Sequence, residues 1–182
     1  SSATGEIFGL GSLHVVNADG TGQTVLTPAG GVWQPAWSPD GSRIAYAGGA
    51  GDRSHIFVAN ADGSARKALL LPDTLYTFTG TPAWSPDGKQ IAFLYVEGAG
   101  GGGPLVAAPG TTGVIDTAIH NQRIALLDSA TKQIRQISPA DLHIYDFDWS
   151  PDGKTFVATA APGPGDNNWW IAQIYTIDVA RG

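Results

Sequence analysis

The chain has 182 residues, of which 42% are hydrophobic, 25 are glycine and 12 are proline, a balance that suits one folded domain with many turns rather than a disordered chain. Its net charge is −6 and its ten Lys and Arg residues are scattered singly, which argues against a nucleic-acid partner. There is no apolar run near the roughly 18 residues of a spanning helix, which argues against membrane insertion, and no cysteine for disulfides or thiolate metal sites.

Residues 1–30 predict two short strands. The apolar run His14-Val15-Val16 ends in the turn sequence Asn17-Ala18-Asp19-Gly20, and a second short run, residues 24–26, follows it. Asn, Asp and Gly favour turns because their side chains or backbone freedom satisfy local hydrogen bonds and positive φ. We therefore expect a hairpin at the start of the chain.

The pentapeptide Trp-Ser-Pro-Asp-Gly occurs three times, at residues 37–41, 84–88 and 149–153. Pro presets φ for the first central position of a turn, Asp can bond the backbone, and Gly accepts the left-handed conformation. An alternating strand follows each copy, beginning at Ile44, Ile91 and Phe156. Each copy therefore predicts a hairpin between two strands.

Residues 31–72 predict the first complete unit of four strands. The second hairpin of this unit is Ile56 to Asn60 followed by Ala61-Asp62-Gly63, which repeats the pattern of residues 14–20. The segment 80–139 predicts a second four-stranded unit, interrupted by the Gly-rich insertion 97–116. Residues 144–182 predict three strands of an incomplete unit.

The spacing of the repeat indicates the architecture. Trp37 and Trp84 are 47 residues apart, close to the roughly 40–50 residues of one propeller blade, whereas Trp84 and Trp149 are 65 apart because of the insertion. The sequence therefore predicts an all-β fold: one partial β-propeller domain, residues 1–182, with about three to four blades of four antiparallel strands.

The repeated hairpin residues have a structural interpretation. We expect the three tryptophans to pack between neighbouring blades, and the Asp and Gly residues to form the turns. The same reasoning makes Ser38, Ser85 and Ser150 turn residues rather than nucleophiles. The structural motif comprises Trp37, Asp40, Gly41, Trp84, Asp87, Gly88, Trp149, Asp152 and Gly153.

Two long connections provide the candidate binding residues. The stretch 162–170 joins the second and third strands of the last unit, and the insertion occupies the equivalent connection one unit earlier, so both should emerge on the same rim. Strand geometry would send Trp169 and Trp170 to opposite faces. The candidates are Glu97, Asp166, Asn167, Asn168 and Trp169.

The sequence predicts no catalytic residue, no metal site and no cofactor. There is no Gly-x-Ser-x-Gly motif, and His14, His55, His120 and His143 lack zinc-ligand spacing. Asp146 and Asp148 alternate on one strand and should project to one face, where they could bind a cation, satisfy backbone donors or face the central channel.

These motifs resemble the TolB-like (WD40-like) propeller repeat, whose blades carry the Trp-Ser-Pro-Asp-Gly hairpin and a strand that ends near Asn-x-Asp-Gly. The second half is also similar to the propeller of prolyl oligopeptidase-family serine peptidases, on residues 122–125, 145–149 and 166–170. The peptidase resemblance implies a non-catalytic module for binding or substrate gating in a larger peptidase-type protein. The TolB resemblance implies a periplasmic protein-interaction scaffold.

The partial blades at both ends predict an open ring. Blade faces are buried by their neighbours, so the chain is expected either to be part of a longer propeller or to be a natural or designed fragment that closes a ring by self-association. We expect a protein or peptide partner, a homo-oligomer if this chain folds alone, and a soluble periplasmic or secreted location.

Overall fold

The computed structural model describes residues 11–27, 31–50, 53–69, 76–97, 121–163 and 166–181. Its regular structure there is almost entirely β, with strands arranged in antiparallel sheets of two, four, four and three strands. The predicted all-β class and the blade arrangement of a partial propeller are confirmed. In the described part of the chain, no helix is long and apolar enough to cross a membrane.

The first sheet is a two-stranded ladder of β1 (His14–Val15) and β2 (Thr24–Val25). Its connecting turn matches a later one in detail: Gly20 N–H donates to the carbonyl of Asn17 at 2.8 Å, and Gly63 N–H donates to the carbonyl of Asn60 at 2.9 Å. Because the later turn joins the third and fourth strands of a blade, β1 and β2 correspond to those two strands.

The second and third sheets each have four strands in chain order, as the repeat predicts. The second contains β3 (Val32–Trp37), β4 (Arg43–Ala50), β5 (Arg53–Asn60) and β6 (Lys67–Leu69). The third contains β7 (Tyr76–Trp84), β8 (Gln90–Glu97), β9 (Gln122–Asp128) and β10 (Ile134–Gln136).

The fourth sheet has three strands, in the order β11-β12-β13. A 3₁₀ helix, Asp166–Ile171, separates the second of them from the third. By register, its strands match the first three strands of the sheets before it, so one edge of β13 has no neighbouring strand within the described residues. The strands are β11 (Leu142–Trp149), β12 (Thr155–Pro162) and β13 (Gln173–Asp178).

The three hairpins share one hydrogen-bond pattern, which explains why the pentapeptide is repeated. In the second sheet, the Ser38 hydroxyl donates to Oδ1 of Asp40 at 2.6 Å, and Arg43 N–H donates to that hydroxyl oxygen at 2.9 Å. The hairpins at Ser85 and Ser150 repeat both bonds. Gly41, Gly88 and Gly153 have φ of 67°, 69° and 69°, a conformation that L side chains rarely adopt.

The sheets pack face to face through alternate residues of their strands. One apolar cluster joins the second sheet to the third, through residues such as Ala45, Ile56, Ile91 and Phe93. Another joins the third to the fourth and includes Phe156. A smaller one places Leu13, next to β1, against Ile44, Tyr46 and Phe57 of the second sheet. Each sheet thus covers part of its neighbour, as successive blades do.

The three motif tryptophans differ in burial, which corrects the expectation that all three pack between blades. Trp84 is 6% exposed beneath the Arg43 guanidinium of the preceding sheet, 4.5 Å from its ring centroid. Trp149 packs against Phe156 and donates its Nε1 hydrogen to the carbonyl of Ala83 in the preceding sheet at 3.2 Å. Trp37 is 51% exposed because the described part of the preceding sheet has only the third and fourth strands of a blade.

Candidate functional site

The connection between β12 and β13 carries the two most exposed tryptophans. Trp169 and Trp170 lie side by side in the 3₁₀ helix and are 70% and 71% exposed. The expectation that strand geometry sends them to opposite faces is wrong, because this segment is helical. Burial of a tryptophan side chain against a partner would remove one of the largest apolar surfaces that a residue can offer.

Local hydrogen bonds hold this connection in place. Gly163 has φ of 81°, which turns the chain away from β12, and its N–H donates to the carbonyl of Asp141 at 2.9 Å. The Asn168 side chain donates to the carbonyl of Pro162 at 3.3 Å, and Ala172 N–H donates to that of Trp169 at 3.2 Å. The tryptophans therefore project from an anchored turn.

The predicted binding residues fall in two places. Asp166, Asn167, Asn168 and Trp169 form one helical turn, and Asn168 serves the turn itself. Glu97 is the last residue of β8, opposite Tyr76. It lies at the equivalent strand end of the third sheet, but the structure gives no contact between it and the 3₁₀ helix. The rest of the predicted insertion, 98–116, lies outside the described residues.

The far face of the fourth sheet, which points away from the third sheet, is also exposed. We call it the open face. Two rows of residues cross its three strands: Asp146, Thr159 and Ile174 in one, and Asp148, Val157 and Thr176 in the other. Ile174 is 70% exposed and Val157 is 45% exposed. Sequence reasoning missed both, together with Trp170 and Ile171, because strand alternation does not show which face a neighbour covers.

The open face is acidic. Asp146 and Asp148 are exposed on either side of the buried Phe147, as the alternation predicts. One oxygen of each carboxylate accepts the next backbone N–H, at 2.9 Å from Phe147 and 2.8 Å from Trp149. The second oxygen of each has no hydrogen bond within the described residues. Both carboxylates therefore remain able to accept from a partner.

Acid–base features elsewhere have structural explanations. The Ser38 hydroxyl, followed by the N–H and hydroxyl of Ser42, lowers the pKa of Asp40 to about 2, and Ser85 and Ser150 lower the pKa of Asp87 and Asp152 in the same way. Within the described residues, no three His, Asp or Glu side chains come together as metal ligands.

A cavity of about 300 Å³ lies between the first and second sheets. Its lining includes Leu13 and His14 on one side and Val32, Trp33 and Tyr46 on the other. Burial raises the pKa of the Tyr46 phenol. The His14 ring hydrogen-bonds Ser12 at 2.7 Å and Gln23 at 3.0 Å, so this imidazole is engaged within its own sheet.

Sequence comparison finds no matching family model and no matching curated protein. Solved structures do match. TolB from Acinetobacter baumannii is 25% identical with a TM-score of 0.64, and the alignment covers 94% of this chain and 36% of that one. An oligogalacturonate lyase from Vibrio parahaemolyticus is 15% identical with a TM-score of 0.55, covering 94% and 45%. An acylaminoacyl peptidase from Pyrococcus horikoshii is 15% identical with a TM-score of 0.54, covering 91% and 26%.

The chain thus spans less than half the length of each of these proteins. The lyase and peptidase likenesses concern the fold alone, while the TolB likeness has the higher identity and agrees with the repeated hairpin. The chain has the fold of a TolB-like β-propeller, with two complete blades and parts of two others.

Proposed function

We propose that the chain is a non-catalytic binding module of a larger propeller protein, and that it contacts a protein or peptide through the 3₁₀ helix. The observation that carries the proposal is the exposure of Trp169 and Trp170 on an anchored turn. Tryptophan is enriched among the residues that dominate binding energy at protein interfaces, and clustered exposed apolar side chains commonly mark interaction sites. Asp166, Asn167 and Glu97 are proposed as polar contacts beside these rings.

The hairpin serines support the non-catalytic part of the proposal. Each hydroxyl donates to the hairpin aspartate and accepts a backbone N–H, so it forms part of the turn. A nucleophilic serine instead needs a general base within hydrogen-bond reach. Turnover of peptide or ester substrates by the purified chain, abolished by one substitution, would overturn this part.

Two settings for the module remain as proposals. The peptidase-type setting gives it a role in substrate gating beside a hydrolase domain, whereas the TolB-like setting makes it a periplasmic or secreted interaction scaffold. The TolB likeness supports the second through its higher identity. The parent gene distinguishes them, because only the peptidase-type setting requires a Gly-x-Ser-x-Gly elbow beyond this segment.

Self-association is a further proposal with a specific requirement. The first sheet supplies the third and fourth strands of a blade, and the fourth sheet supplies the first three. A blade built from two copies would therefore contain both β13 and β1 in the third position, and one of them must move. The mass of the chain in solution tests this: a compact monomer excludes ring closure by copies.

The binding role is tested by selecting peptides from a displayed random library against the folded chain. We expect Trp169→Ala/Trp170→Ala to weaken the selected peptides at least about tenfold, since loss of central aromatic contacts costs about 2 kcal/mol or more. Trp37→Ala is the matched control because Trp37 is also half exposed but lies on the second sheet. Equal losses in both variants, or no selected binder, would contradict the proposal.

A further inference from the structure

The open face of the fourth sheet differs in composition from the faces that the other blades bury. Its two rows are Asp146–Thr159–Ile174 and Asp148–Val157–Thr176. The equivalent positions of the third sheet, by register, are Gly80–Leu94–Ile124 and Ala83–Ala92–Leu126. Those residues are all apolar or glycine, and they pack on the fourth sheet. Four of the six positions have become polar in the fourth sheet, two of them carboxylates.

This composition says what can cover the face. The Ala83 position faces an apolar neighbour, so an equally apolar neighbour over Asp148 would remove a charge from water without a partner, at a cost of several kcal/mol. Such a surface needs cationic groups to pair with the two aspartates, together with apolar groups to cover Ile174 and Val157. An ordinary apolar blade face does not supply the cations.

The charges of the fourth sheet have the same sign. From residue 141 to residue 181 the chain has Asp141, Asp146, Asp148, Asp152, Asp166 and Asp178 against Lys154 and Arg181. Lys154 pairs with Asp152 at 3.9 Å, and Arg181 pairs with Asp178 at 3.8 Å, both at the hairpin end of the sheet. Neither aspartate of the open face has an ion pair within the described residues. The whole chain carries −6, so a second copy brings net repulsion rather than complementary charge.

We propose that the open face docks a protein segment that presents arginine or lysine side chains next to apolar ones, an inference that rests on the proposed binding function and names the chemistry of its partner. The guanidinium or ammonium groups pair with the second oxygens of Asp146 and Asp148. The apolar side chains cover Ile174 and Val157, and the row of Asp146 and Ile174 lies nearer the 3₁₀ helix, so Trp169 and Trp170 extend the same contact.

The molecule already uses this chemistry at one of its own interfaces. Arg43 of the second sheet stacks over Trp84 of the third and donates to the carbonyl of Gly88 at 3.3 Å. A cation over an aromatic face gains about 0.5–2 kcal/mol, and a hydrogen bond between charged partners is about twice as strong as a neutral one. Arginine at the open face could make both contacts, with the aspartates and with the exposed indoles.

The test uses an extended peptide of about eight residues, enough to follow one strand, in which arginine alternates with valine. The same peptide with citrulline in place of arginine keeps the shape but removes the charge. We expect the full chain to bind the arginine peptide, by fluorescence anisotropy, at least about tenfold more tightly than the citrulline peptide at low salt, with the difference shrinking as salt rises.

Substitutions then locate the contact. Asp146→Asn/Asp148→Asn should abolish the preference for arginine, and Ile174→Ser should weaken both peptides. Ala130→Lys/Gln133→Lys is the matched control, because it changes the net charge by the same two units at an exposed turn of the third sheet. It should preserve most of the preference. Equal effects of the two charge variants would reduce the result to net charge and overturn the proposal.

The remaining outcomes separate the two proposals. Arginine-peptide binding that depends on Trp169 and Trp170 but not on Asp146 and Asp148 would retain the binding module and overturn the open-face inference. Failure of the arginine peptide to bind at about 1 mM, the weak limit of specific recognition, would also overturn it. A stable dimer of the chain that is broken by Ile174→Ser would assign the open face to a second copy instead.

Discussion

The third and fourth sheets carry the same hairpin and the same order of strands, but their far faces have different surroundings. Ile124 of the third sheet and Ile174 of the fourth occupy the same blade position, and the first is fully buried whereas the second is 70% exposed. The difference comes from the fourth sheet itself, which covers Ile124. In a repeat protein the burial of a residue is set by the neighbouring unit as much as by its own strand.

The largest expected effect contrasts the motif tryptophans at the two ends of the second sheet's contacts. Trp84→Ala should destabilise the chain by about 3–5 kcal/mol, because it removes a buried ring beneath Arg43 and leaves a cavity. Trp37→Ala should cost about 1 kcal/mol or less, as an exposed substitution does. Denaturant unfolding of both variants measures the difference. Equal losses would mean that Trp37 is buried in solution by something beyond the described residues.

How much of this contrast could be predicted depends on which unit a residue faces. The hairpins, the four-stranded units and the all-β class followed from the repeated pentapeptide, because its turn chemistry is local to five residues. The exposure of Trp37 did not follow, since it depends on strands of the preceding blade. The helical turn at Trp169 and Trp170 was also missed, because alternating geometry was assumed across a Pro- and Gly-rich connection.

The candidate site was predicted only in part, for the same reason. Asp166 to Trp169 were singled out as a long connection, and the structure places them on one anchored turn. Ile174 and Val157 have ordinary strand sequences, so only register and the position of the neighbouring sheet show that they are exposed. Comparing equivalent positions of the repeats reveals the substitution of Ala83 by Asp148, a signal that the sequence alone contained.

A second prediction sharpens the comparison of the two isoleucines. Ile124→Ala should lower the free energy of unfolding by about 3 kcal/mol, the usual cost of a cavity in a packed core. Ile174→Ala should change it by about 0.5 kcal/mol or less while weakening any partner of the open face. Thermal and denaturant unfolding of the two variants test this. A large loss at Ile174 would contradict the exposed position and favour association of the chain through this face.

The smallest expected effect concerns the hairpins, which look alike but differ in their hydrogen bonds to aspartate. Oδ2 of Asp40 accepts the Ser42 hydroxyl at 2.8 Å, whereas Lys89 and Lys154 occupy the equivalent position beside Asp87 and Asp152. The folded-state pKa of Asp40, about 2, lies below the ordinary 3.8, so its carboxylate stabilises the fold above about pH 4. That contribution should disappear as the pH falls from about 4 to about 2.

Asp40→Asn should therefore lower stability at neutral pH and flatten the stability curve between about pH 4 and about pH 2, the range bounded by the ordinary and folded-state pKa. Asp141→Asn is the control, because the Asp141 side chain is exposed and has no hydrogen bond within the described residues. Urea unfolding at a series of pH values measures both. If Asp141→Asn flattens the curve as much as Asp40→Asn, the acid sensitivity reflects net charge, and the hairpin hydrogen bonds of the second sheet are not its source.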